Sequence, residues 1–408
     1  MKLKVLALGG SGDMGRMSVA ILLESRNISS ITVADKNLER VQHFIDMVGS
    51  DKLNAAEIDV TEHDKLVQLI SSHDFVVNTV GPYYQFANPI MEATIEAEKN
   101  YIDINDDAKP TLEILEKSQK AKEAGITAVI GLGASPGVTN LMAVLACSEL
   151  DEVDDLITAW GSGFAKEGKK PQYYVLPRKY YAKYKDNPLI ANAATMHLFY
   201  ETLETIPTFK DGKMVEIKPL TEAEPLKFPG FKDAYVVHLG HPEPVTLPRV
   251  IKANSVSNLM YLGKLTTEMV REYSQKISNK ELTISEASTA FFKDSKKLRK
   301  EPDILKEYTD LPPGLCVVVT GIKNGKQKKV AIAGNRAPFG AMAGVTGVPL
   351  AIGALMIMEG KIKEKGVFTP EEVINTQENL THFFDSYAKY CGKDLKGKDI
   401  LLKKVVDL

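Results

Sequence analysis

The sequence predicts an α/β fold: a Rossmann-type, doubly wound parallel sheet joined to an inserted α+β domain. Three observations support this fold class. The glycine-rich stretch GGSGDMGR follows the apolar run KVLAL at the start of the chain. Apolar strand-like runs then alternate with helical patterns up to about residue 133, and this alternation stops after Ala134. A chain of 408 residues is also too long for one ordinary core, so more than one domain is expected.

The glycine-rich stretch has the order of elements that a dinucleotide-binding motif needs. KLKVLALG is continuously apolar, as a strand buried on both faces should be. Gly10, Gly12 and Gly15 match G-x-G-x-x-G, which permits a tight turn, close approach of a pyrophosphate and close helix packing. RMSVAILLES supplies the helix whose first amides would hold phosphate, and SITVAD is the second strand. The predicted cofactor-binding residues of this loop are Gly10, Ser11, Gly12, Asp13, Met14 and Gly15.

Asp35 ends the second strand, 20 residues after Gly15. A carboxylate there accepts hydrogen bonds from an adenosine ribose 2′-hydroxyl and repels a 2′-phosphate. The cofactor prediction is therefore NAD, with NADP left open because Lys36 and Arg40 are close in sequence. Asp13 is an awkward neighbour for a pyrophosphate, so its carboxylate is expected to turn towards solvent or Arg16.

Four further strands complete the predicted parallel sheet. They are NAAEIDV, DFVVNTV, NYIDIND and ITAVIGLG, with helices DKLVQLIS, PIMEATIEAEK and KPTLEILEKSQKAKEAG between them. GPYYQFANP is predicted as a loop at the carboxyl edge of the sheet, where open α/β sheets bind ligands. The residues predicted to line the cofactor at this edge are Asp59, Val60, Thr79, Gly81 and Pro82.

The predicted domains are residues 1–134 for dinucleotide binding, 135–335 for an inserted substrate and dimerisation domain, and 336–408 for C-terminal helices that return to the first domain. In the insert, DLITAWGSG, KMVEIKPL, AYVVHLG, GLCVVVTGI and KKVAIAG are predicted strands of a mixed or antiparallel sheet. PLIANAATMHLFYETLETI and LTTEMVREYSQKI are predicted helices, and TPEEVINTQENLTHFFDSYAKY is a helix of the last segment.

The uncharged segment Ala337–Met358 is long enough to raise the question of a membrane span. It contains four glycines and two prolines, and Thr346 is a reasonable N-cap with Pro349 in the first turn. The prediction is a buried helix from about Val348 to Glu359 behind a tight loop, with no membrane contact.

Bulk composition excludes several classes of protein. The net charge of −2 indicates no general attraction to nucleic acid. The basic, tyrosine-rich stretch 169–185 is therefore predicted to be a lid or a subunit contact rather than a nucleic-acid site. Cys147, Cys316 and Cys391 have no metal-ligand spacing, which predicts no metal site and a reducing, cytoplasmic location.

Five ordered motifs resemble the saccharopine dehydrogenase (saccharopine reductase) superfamily. They are GGSGDMGR, NTVGPYYQFANPIMEATIEAEKNYIDIND, GLGASPGVTN, GHPEPVTLPR and AGVTGVPLAIGALMIMEGKI followed by GVFTPEE. The resemblance covers nearly the whole chain but is thin across 165–190 and 265–310. It implies an NAD(P)-dependent oxidoreductase, and known members act at the C–N bond of amino acids or amines.

Three residues are predicted to be catalytic. Tyr83 follows the fourth strand where a nicotinamide would pass, although it could instead cover a domain seam. Asp103 could carry the proton near an imine nitrogen or could be a hydrogen-bonded core carboxylate, and the family's Y-x-D pattern favours the site. His241 lies in the His-Pro-Glu-Pro run, which matches a family motif.

Four residues are predicted to bind a substrate that carries a carboxylate. Ser135 begins a helix whose free amides attract anions, and Asn140 is in the same motif. Glu243 and Arg249 follow His241, and Arg249 offers a bidentate grip on a carboxylate or an ordinary salt bridge.

The predicted function is hydride transfer between a nicotinamide cofactor and the C–N bond of an amino acid, opine or amine. The alternatives are an NAD(P)-binding redox sensor without turnover and a dehydrogenase of C–O bonds. The predicted partners are a small-molecule substrate and a second copy of the chain, as a homodimer through the inserted sheet.

Overall fold

The computed structural model describes residues 2–161, 163, 165–184, 193–298 and 306–408. The helices over these residues are α1 (Asp13–Leu22), α2 (Leu38–Val48), α3 (His63–Ser71), α4 (Tyr83–Glu96), α5 (Ala108–Leu115), α6 (Ser118–Glu123), α7 (Val138–Cys147), α8 (Pro177–Tyr180), α9 (Ala193–Tyr200), α10 (Glu243–Thr246), α11 (Lys264–Ser278), α12 (Ile284–Leu298), α13 (Met342–Met358), α14 (Pro370–Val373), α15 (Gln377–Cys391) and α16 (Gly397–Ile400).

The strands over the same residues are β1 (Leu3–Leu8), β2 (Ile28–Asp35), β3 (Leu53–Glu57), β4 (Phe75–Asn78), β5 (Asn100–Asp103), β6 (Thr127–Val129), β7 (Glu152–Gly161), β8 (Lys166–Glu167), β9 (Ile206–Lys210), β10 (Lys213–Ile217), β11 (Val237–His238), β12 (Ala253–Tyr261), β13 (Leu315–Lys323), β14 (Lys326–Gly334), β15 (Arg336–Ala337), β16 (Gly366–Phe368) and β17 (Leu401–Asp407).

The chain forms two compact units. We call the first the parallel-sheet unit, which comprises Met1–Val138, Lys166–Lys185 and Arg336–Ile400. We call the second the mixed-sheet unit, which comprises Thr139–Ala165, Asp186–Asn335 and Leu401–Leu408.

The parallel-sheet unit contains a seven-stranded sheet in the order β16-β6-β5-β4-β1-β2-β3, and every pairing in it is parallel. The last four residues of β1, Val5 to Leu8, are buried, which is why this part of the strand is continuously apolar. Strand order reverses on the two sides of β1, and the carboxyl ends of β1 and β4 lie side by side at this switch point. The predicted Rossmann sheet is confirmed, with β16 as a seventh strand that the sequence analysis did not anticipate.

The predicted loop GPYYQFANP is wrong as a loop, because α4 begins within it at Tyr83. Pro82 is the extended N-cap of this helix, and Asp107 Oδ2 accepts the Tyr84 backbone N–H at 2.6 Å. Pro89 lies inside the helix, where it lacks an N–H to donate. Two prolines in nine residues are typical of a loop, but Pro82 precedes the helix and Pro89 is tolerated within it.

Helix α13 begins about six residues earlier than predicted, so Thr346 lies inside it rather than at its N-cap. Its early glycines serve close packing. A Cβ on Gly347 would lie 2.6 Å from the Met14 carbonyl oxygen, and one on Gly344 would lie 2.3 Å from the Phe339 carbonyl oxygen. Within the described ranges, none of the helices combines the length and hydropathy needed to cross a membrane.

The mixed-sheet unit contains a sheet in the order β10-β9-β12-β7-β13-β14-β17, with β11 paired to β12. β7 and β12 are parallel to each other, and the other pairings are antiparallel. One core cluster includes apolar side chains of α9, α11 and α12 packed with residues of β11 and β12. The predicted mixed sheet is confirmed, whereas β9, β12 and β17 were not anticipated.

The compact units differ from the predicted domain boundaries at two places. Residues 166–184 belong to the parallel-sheet unit although they interrupt the insert. Strand β17 pairs with β14 in the mixed sheet, so the last residues do not stay with the C-terminal helices. The predicted helix over 188–206 starts in residues outside the described ranges, and residues 193–200 form α9. The prediction is wrong over 201–206, where a turn leads into β9 at Ile206.

Candidate functional site

The glycine loop is built to bring backbone close to a bound group. Helix α1 starts at Asp13 with Gly12 as its N-cap, and no side chain of the described residues caps it. Its first amides are therefore available to an anion. A Cβ on Gly15 would lie 2.5 Å from the Gly9 carbonyl oxygen and 2.7 Å from Gly10 Cα, so this position requires glycine. A Cβ on Gly12 would meet only the Gly9 oxygen, at 3.2 Å, which leaves its outer side open for a pyrophosphate.

Asp35 is held beside this loop. Ser11 Oγ donates to Asp35 Oδ2 at 2.9 Å, and the Asn37 backbone N–H donates to Oδ1 at 3.2 Å. The Lys36 ammonium, a cation that could attract a 2′-phosphate, lies instead 2.7 Å from Asp59 Oδ2. Lys36, together with Thr61, holds the pKa of the Asp59 carboxyl well below its usual range. Asp35 is thus tied to the glycine loop through the Ser11 hydroxyl.

The other predicted cofactor residues divide into two kinds. Thr79 donates its backbone N–H and its hydroxyl to the Leu8 carbonyl oxygen, at 2.9 and 3.0 Å, and so ties β4 to β1. Gly81 and Pro82 follow directly and lead into α4. Val60 is buried in the apolar core, which leaves only its backbone for a ligand.

Asp103 is fully buried, and both of its oxygens accept hydrogen bonds. Oδ1 accepts the backbone N–H of Asn105 at 3.0 Å and of Gly131 at 2.8 Å, and Oδ2 accepts the Tyr101 hydroxyl at 2.8 Å. Burial raises the pKa of Asp103 to about 6, although these hydrogen bonds oppose the rise. The geometry favours the core-carboxylate alternative, in which Asp103 ties β5 to the loop after β6.

Tyr83 is also buried, at the first position of α4. Its hydroxyl donates to the Asn78 carbonyl oxygen at 3.2 Å, and burial raises its pKa well above the ordinary value. A proton carrier needs a pKa near the working pH, so this environment suits a positioning residue better.

The His-Pro-Glu-Pro run forms a buried polar network in the mixed-sheet unit. Glu243, the first residue of α10, is fully buried, and its Oε1 accepts from Thr139 Oγ1 at 3.1 Å and from Asn258 Nδ2 at 3.0 Å. His241 Nδ1 lies 3.6 Å from Glu243 Oε2. A buried carboxylate held by these donors can orient a neighbouring imidazole.

Aromatic rings enclose His241. The Trp160 ring stacks on it with centroids 5.1 Å apart, and the His197 ring meets it edge-on at 5.3 Å. Trp160 Nε1 donates to Asn258 Oδ1 at 3.1 Å, which links the stack to the Glu243 network. The His241 imidazole is thus nearly buried, and it lies close to the Glu243 carboxylate and to the rings of Trp160 and His197.

The predicted substrate residues occupy different settings. Asn140 is buried and donates to Thr246 Oγ1 at 3.3 Å, while Arg249 is exposed at the end of the short helical segment after α10. Ser135 lies in a tight turn before α7, where the Val138 N–H reaches the Gly133 carbonyl oxygen at 3.0 Å. The structure therefore brings Asn140, His241 and Glu243 together in the mixed-sheet unit, whereas Asp103, Tyr83 and Ser135 belong to the parallel-sheet unit.

Sequence reasoning missed Thr139, Thr158, Trp160 and Asn258 in this network. Asn258 Nδ2 also donates to Thr158 Oγ1 at 3.0 Å. One signal was present: Trp160 is the single tryptophan of the chain, and alternation along DLITAW places it on the same strand face as Thr158. Asn258 had no such signal, because β12 was not predicted.

Comparisons with known proteins extend these observations to the whole chain. Residues 5–129 match the saccharopine dehydrogenase NADP binding domain, and residues 133–393 match the saccharopine dehydrogenase C-terminal domain. Carboxyaminopropylagmatine dehydrogenase of Synechocystis is 24% identical over 91% of this chain and 92% of its own length. Carboxynorspermidine synthase of Vibrio cholerae is 24% identical over 89% of this chain and 91% of its own length.

The fold also agrees with that of a solved structure. The apo structure of saccharopine dehydrogenase (L-Glu forming) from Saccharomyces cerevisiae matches with a TM-score of 0.61 at 17% identity, over 99% of this chain and 100% of that chain. The resemblance expected from the sequence motifs is confirmed. This chain is an NAD(P)-dependent oxidoreductase that belongs to the saccharopine dehydrogenase family.

Proposed function

We propose that this protein transfers hydride between NAD(H) and the C–N bond of an amino acid, opine or amine. The observation that carries the proposal is the pair of relatives matched over about nine-tenths of both chains, each named for an amine that bears a carboxyl group. The glycine-loop geometry and the buried His241 network supply the two kinds of residue that such a reaction needs.

The cofactor would be held by backbone and by one carboxylate. The nicotinamide ring supplies or accepts the hydride when the cofactor is bound. The amides at the start of α1 would bind the pyrophosphate, and Asp35 would accept from the ribose hydroxyls. Because Lys36 is paired with Asp59, we propose NAD rather than NADP as the preferred cofactor.

His241 is the proposed proton carrier. Forming or hydrolysing an imine moves protons to and from nitrogen and water, and an imidazole does this near neutral pH. Glu243 would orient the ring. Arg249 is the proposed group for a substrate carboxylate, and Asp103 the positioning residue of the sheet edge.

We further propose a cytoplasmic homodimer that forms through the mixed sheet. Among the described strands, β10 lies at an edge of that sheet and exposes Met214. An edge strand presents unpaired backbone groups that a second copy can pair with. Light scattering that gives a monomer mass at micromolar concentration would contradict the dimer.

The test has two stages. Nicotinamide fluorescence during titration with NADH and with NADPH measures the cofactor preference, and tighter NADH binding is expected. Asp35→Ser should then narrow the difference, because it removes the charge that repels a 2′-phosphate. A turnover screen of amino acids, polyamines and keto acids follows, and His241→Gln should abolish turnover while NADH still binds. Tight binding without turnover of any compound would favour a redox sensor instead.

A further inference from the structure

Residues 173–183, which we call the tyrosine strap, pack on the dinucleotide-binding elements of the parallel-sheet unit. The strap lies in the segment Lys166–Lys185 of the parallel-sheet unit, whereas the chain before and after that segment belongs to the mixed-sheet unit. Lys183 Nζ lies 2.7 Å from Glu39 Oε1 of α2, which anchors the end of the strap. The glycine loop thus acquires contacts about 170 residues away in sequence.

Tyr180 connects the two helices that carry cofactor recognition. Its ring is fully buried, with the Arg16 guanidinium of α1 4.0 Å from its centroid. The His43 ring of α2 stacks on the Tyr180 ring with centroids 5.5 Å apart. The Tyr180 hydroxyl donates to the Arg40 carbonyl oxygen at 3.3 Å. α1 follows the glycine loop and α2 follows Asp35. Tyr180 therefore helps to set the spacing between the pyrophosphate site and the ribose carboxylate.

Tyr181 acts on the charge at the start of α1. Its hydroxyl donates to Asp13 Oδ1 at 2.9 Å, and Arg16 Nη2 donates to the same oxygen at 2.5 Å. The expectation that the Asp13 carboxylate turns to Arg16 is confirmed. A carboxylate beside a helix N-terminus competes with a bound pyrophosphate and repels it, so this pairing removes an obstacle to the cofactor.

Arg16 also holds the turn itself. Its Nη1 donates to the Ser11 carbonyl oxygen at 2.8 Å, and the Gly12 N–H of the same peptide plane donates to the Gly9 carbonyl oxygen at 2.9 Å. Both ends of that peptide are thus fixed. A fully buried guanidinium is costly unless it is paired, and the strap rings supply part of its surroundings.

We propose that Tyr180 and Tyr181 are positioning residues for the adenosine and pyrophosphate half of the cofactor, acting through Arg16 and Asp13. The inference deepens the proposed function, since it rests on dinucleotide binding at the glycine loop. It assigns part of the cofactor affinity to the middle of the chain, outside the dinucleotide-binding motif.

The experiment measures dissociation constants for NADH and for ADP-ribose, which lacks the nicotinamide. Tyr181→Phe removes one hydrogen bond and should raise the dissociation constants of both ligands by the same factor, about 5-fold. Tyr180→Leu removes the ring between α1 and α2 and should weaken both by about 10-fold or more. Tyr173→Phe is the matched control from the same strap, because no hydrogen bond of its hydroxyl is seen among the described residues. It should stay within about 2-fold of the wild type.

A rescue experiment separates charge positioning from general stability. Arg16→Met should weaken NADH binding strongly, because it leaves the Asp13 carboxylate uncompensated beside the pyrophosphate site. Adding Asp13→Asn to Arg16→Met should restore part of the affinity, whatever the urea midpoint of either protein. A purely structural strap would shift the urea midpoint without changing the dissociation constant of the folded protein.

The proposal is overturned if both strap variants bind NADH as the wild type does, or if only NADH and not ADP-ribose is weakened. It is also overturned if Asp13→Asn gives no rescue. These measurements contain no amine or amino acid, so a failed turnover screen would count against the proposed function alone.

Discussion

The two units hold their candidate site residues in different ways. In the parallel-sheet unit, backbone segments of the glycine loop pack closely against each other because glycines have no side chain. A Cβ on Gly15, for example, would lie 2.5 Å from the Gly9 carbonyl oxygen. In the mixed-sheet unit, Glu243 depends on side-chain donors from α7 and β12, and the Thr139 partner is 104 residues away.

This difference sets what a substitution does. Adding an atom to the glycine loop causes a collision with backbone, which cannot move aside cheaply. Removing an atom from the Glu243 network leaves buried donors without an acceptor, which costs their full desolvation. The first region should be sensitive to added volume and the second to lost polarity.

Gly15→Ala is expected to have the largest effect. The new methyl group would meet two backbone atoms, so we expect a loss of about 3 kcal/mol of unfolding free energy and more than about 100-fold in NADH affinity. Urea unfolding and fluorescence titration measure these.

Gly12→Ala is the matched control, because its Cβ would approach a single atom, the Gly9 carbonyl oxygen at 3.2 Å, and its φ of −72° suits alanine. Its unfolding free energy should stay within about 1 kcal/mol of the wild type. Its affinity for NADH should still fall, because the methyl group obstructs the approach of the pyrophosphate. Equal stability loss in both variants would show that the loop is not limited by backbone collision.

Glu243→Ala should cost about 3 kcal/mol of unfolding free energy, because the side-chain donors of Thr139 and Asn258 lose their buried acceptor. Urea unfolding measures the change. Glu204→Ala in the exposed turn after α9 is the control and should change stability by less than about 0.5 kcal/mol. If the two variants were equally stable, the network would contribute nothing to the fold.

Asp103→Asn tests the buried carboxyl through pH. The pKa of Asp103 is raised to about 6 in the folded protein, so the folded state holds the proton more tightly than the unfolded state. The wild type should therefore lose about 2 kcal/mol of unfolding free energy relative to the variant as the pH rises from 4 to 6. Urea unfolding across this range measures it, with the exposed Asp51→Asn as control. Parallel pH profiles for wild type and Asp103→Asn would refute the raised pKa.

Lys36→Met should have the smallest effect. Its pair with Asp59 is largely exposed on the lysine side, so the midpoint of urea unfolding should stay that of the wild type. The ratio of NADPH to NADH affinity should also stay the same if Lys36 serves Asp59 rather than a 2′-phosphate. A selective loss of NADPH binding, seen in parallel titrations, would instead make Lys36 a phosphate ligand.

The first third of the chain was predictable because its elements contact their neighbours in sequence. β1, the glycine loop, α1 and β2 follow one another, and the sheet pairs β1 directly with β2. The length of each run and the placement of its glycines carry most of the information. The turn before α4 misled the prediction because two prolines there are compatible with a helix as well as with a loop.

Other features depended on which distant faces meet. β17 pairs with β14, the tyrosine strap packs on α1 and α2, and Asn258 donates to Glu243. No local sequence pattern in these segments predicts which distant residues they contact. The amino-acid order alone was enough for the Rossmann elements, the Asp35 position and the family motifs. The buried networks around Glu243 and Asp103 required the folded chain, because a polar group is tolerated in the interior only when remote residues supply its hydrogen bonds.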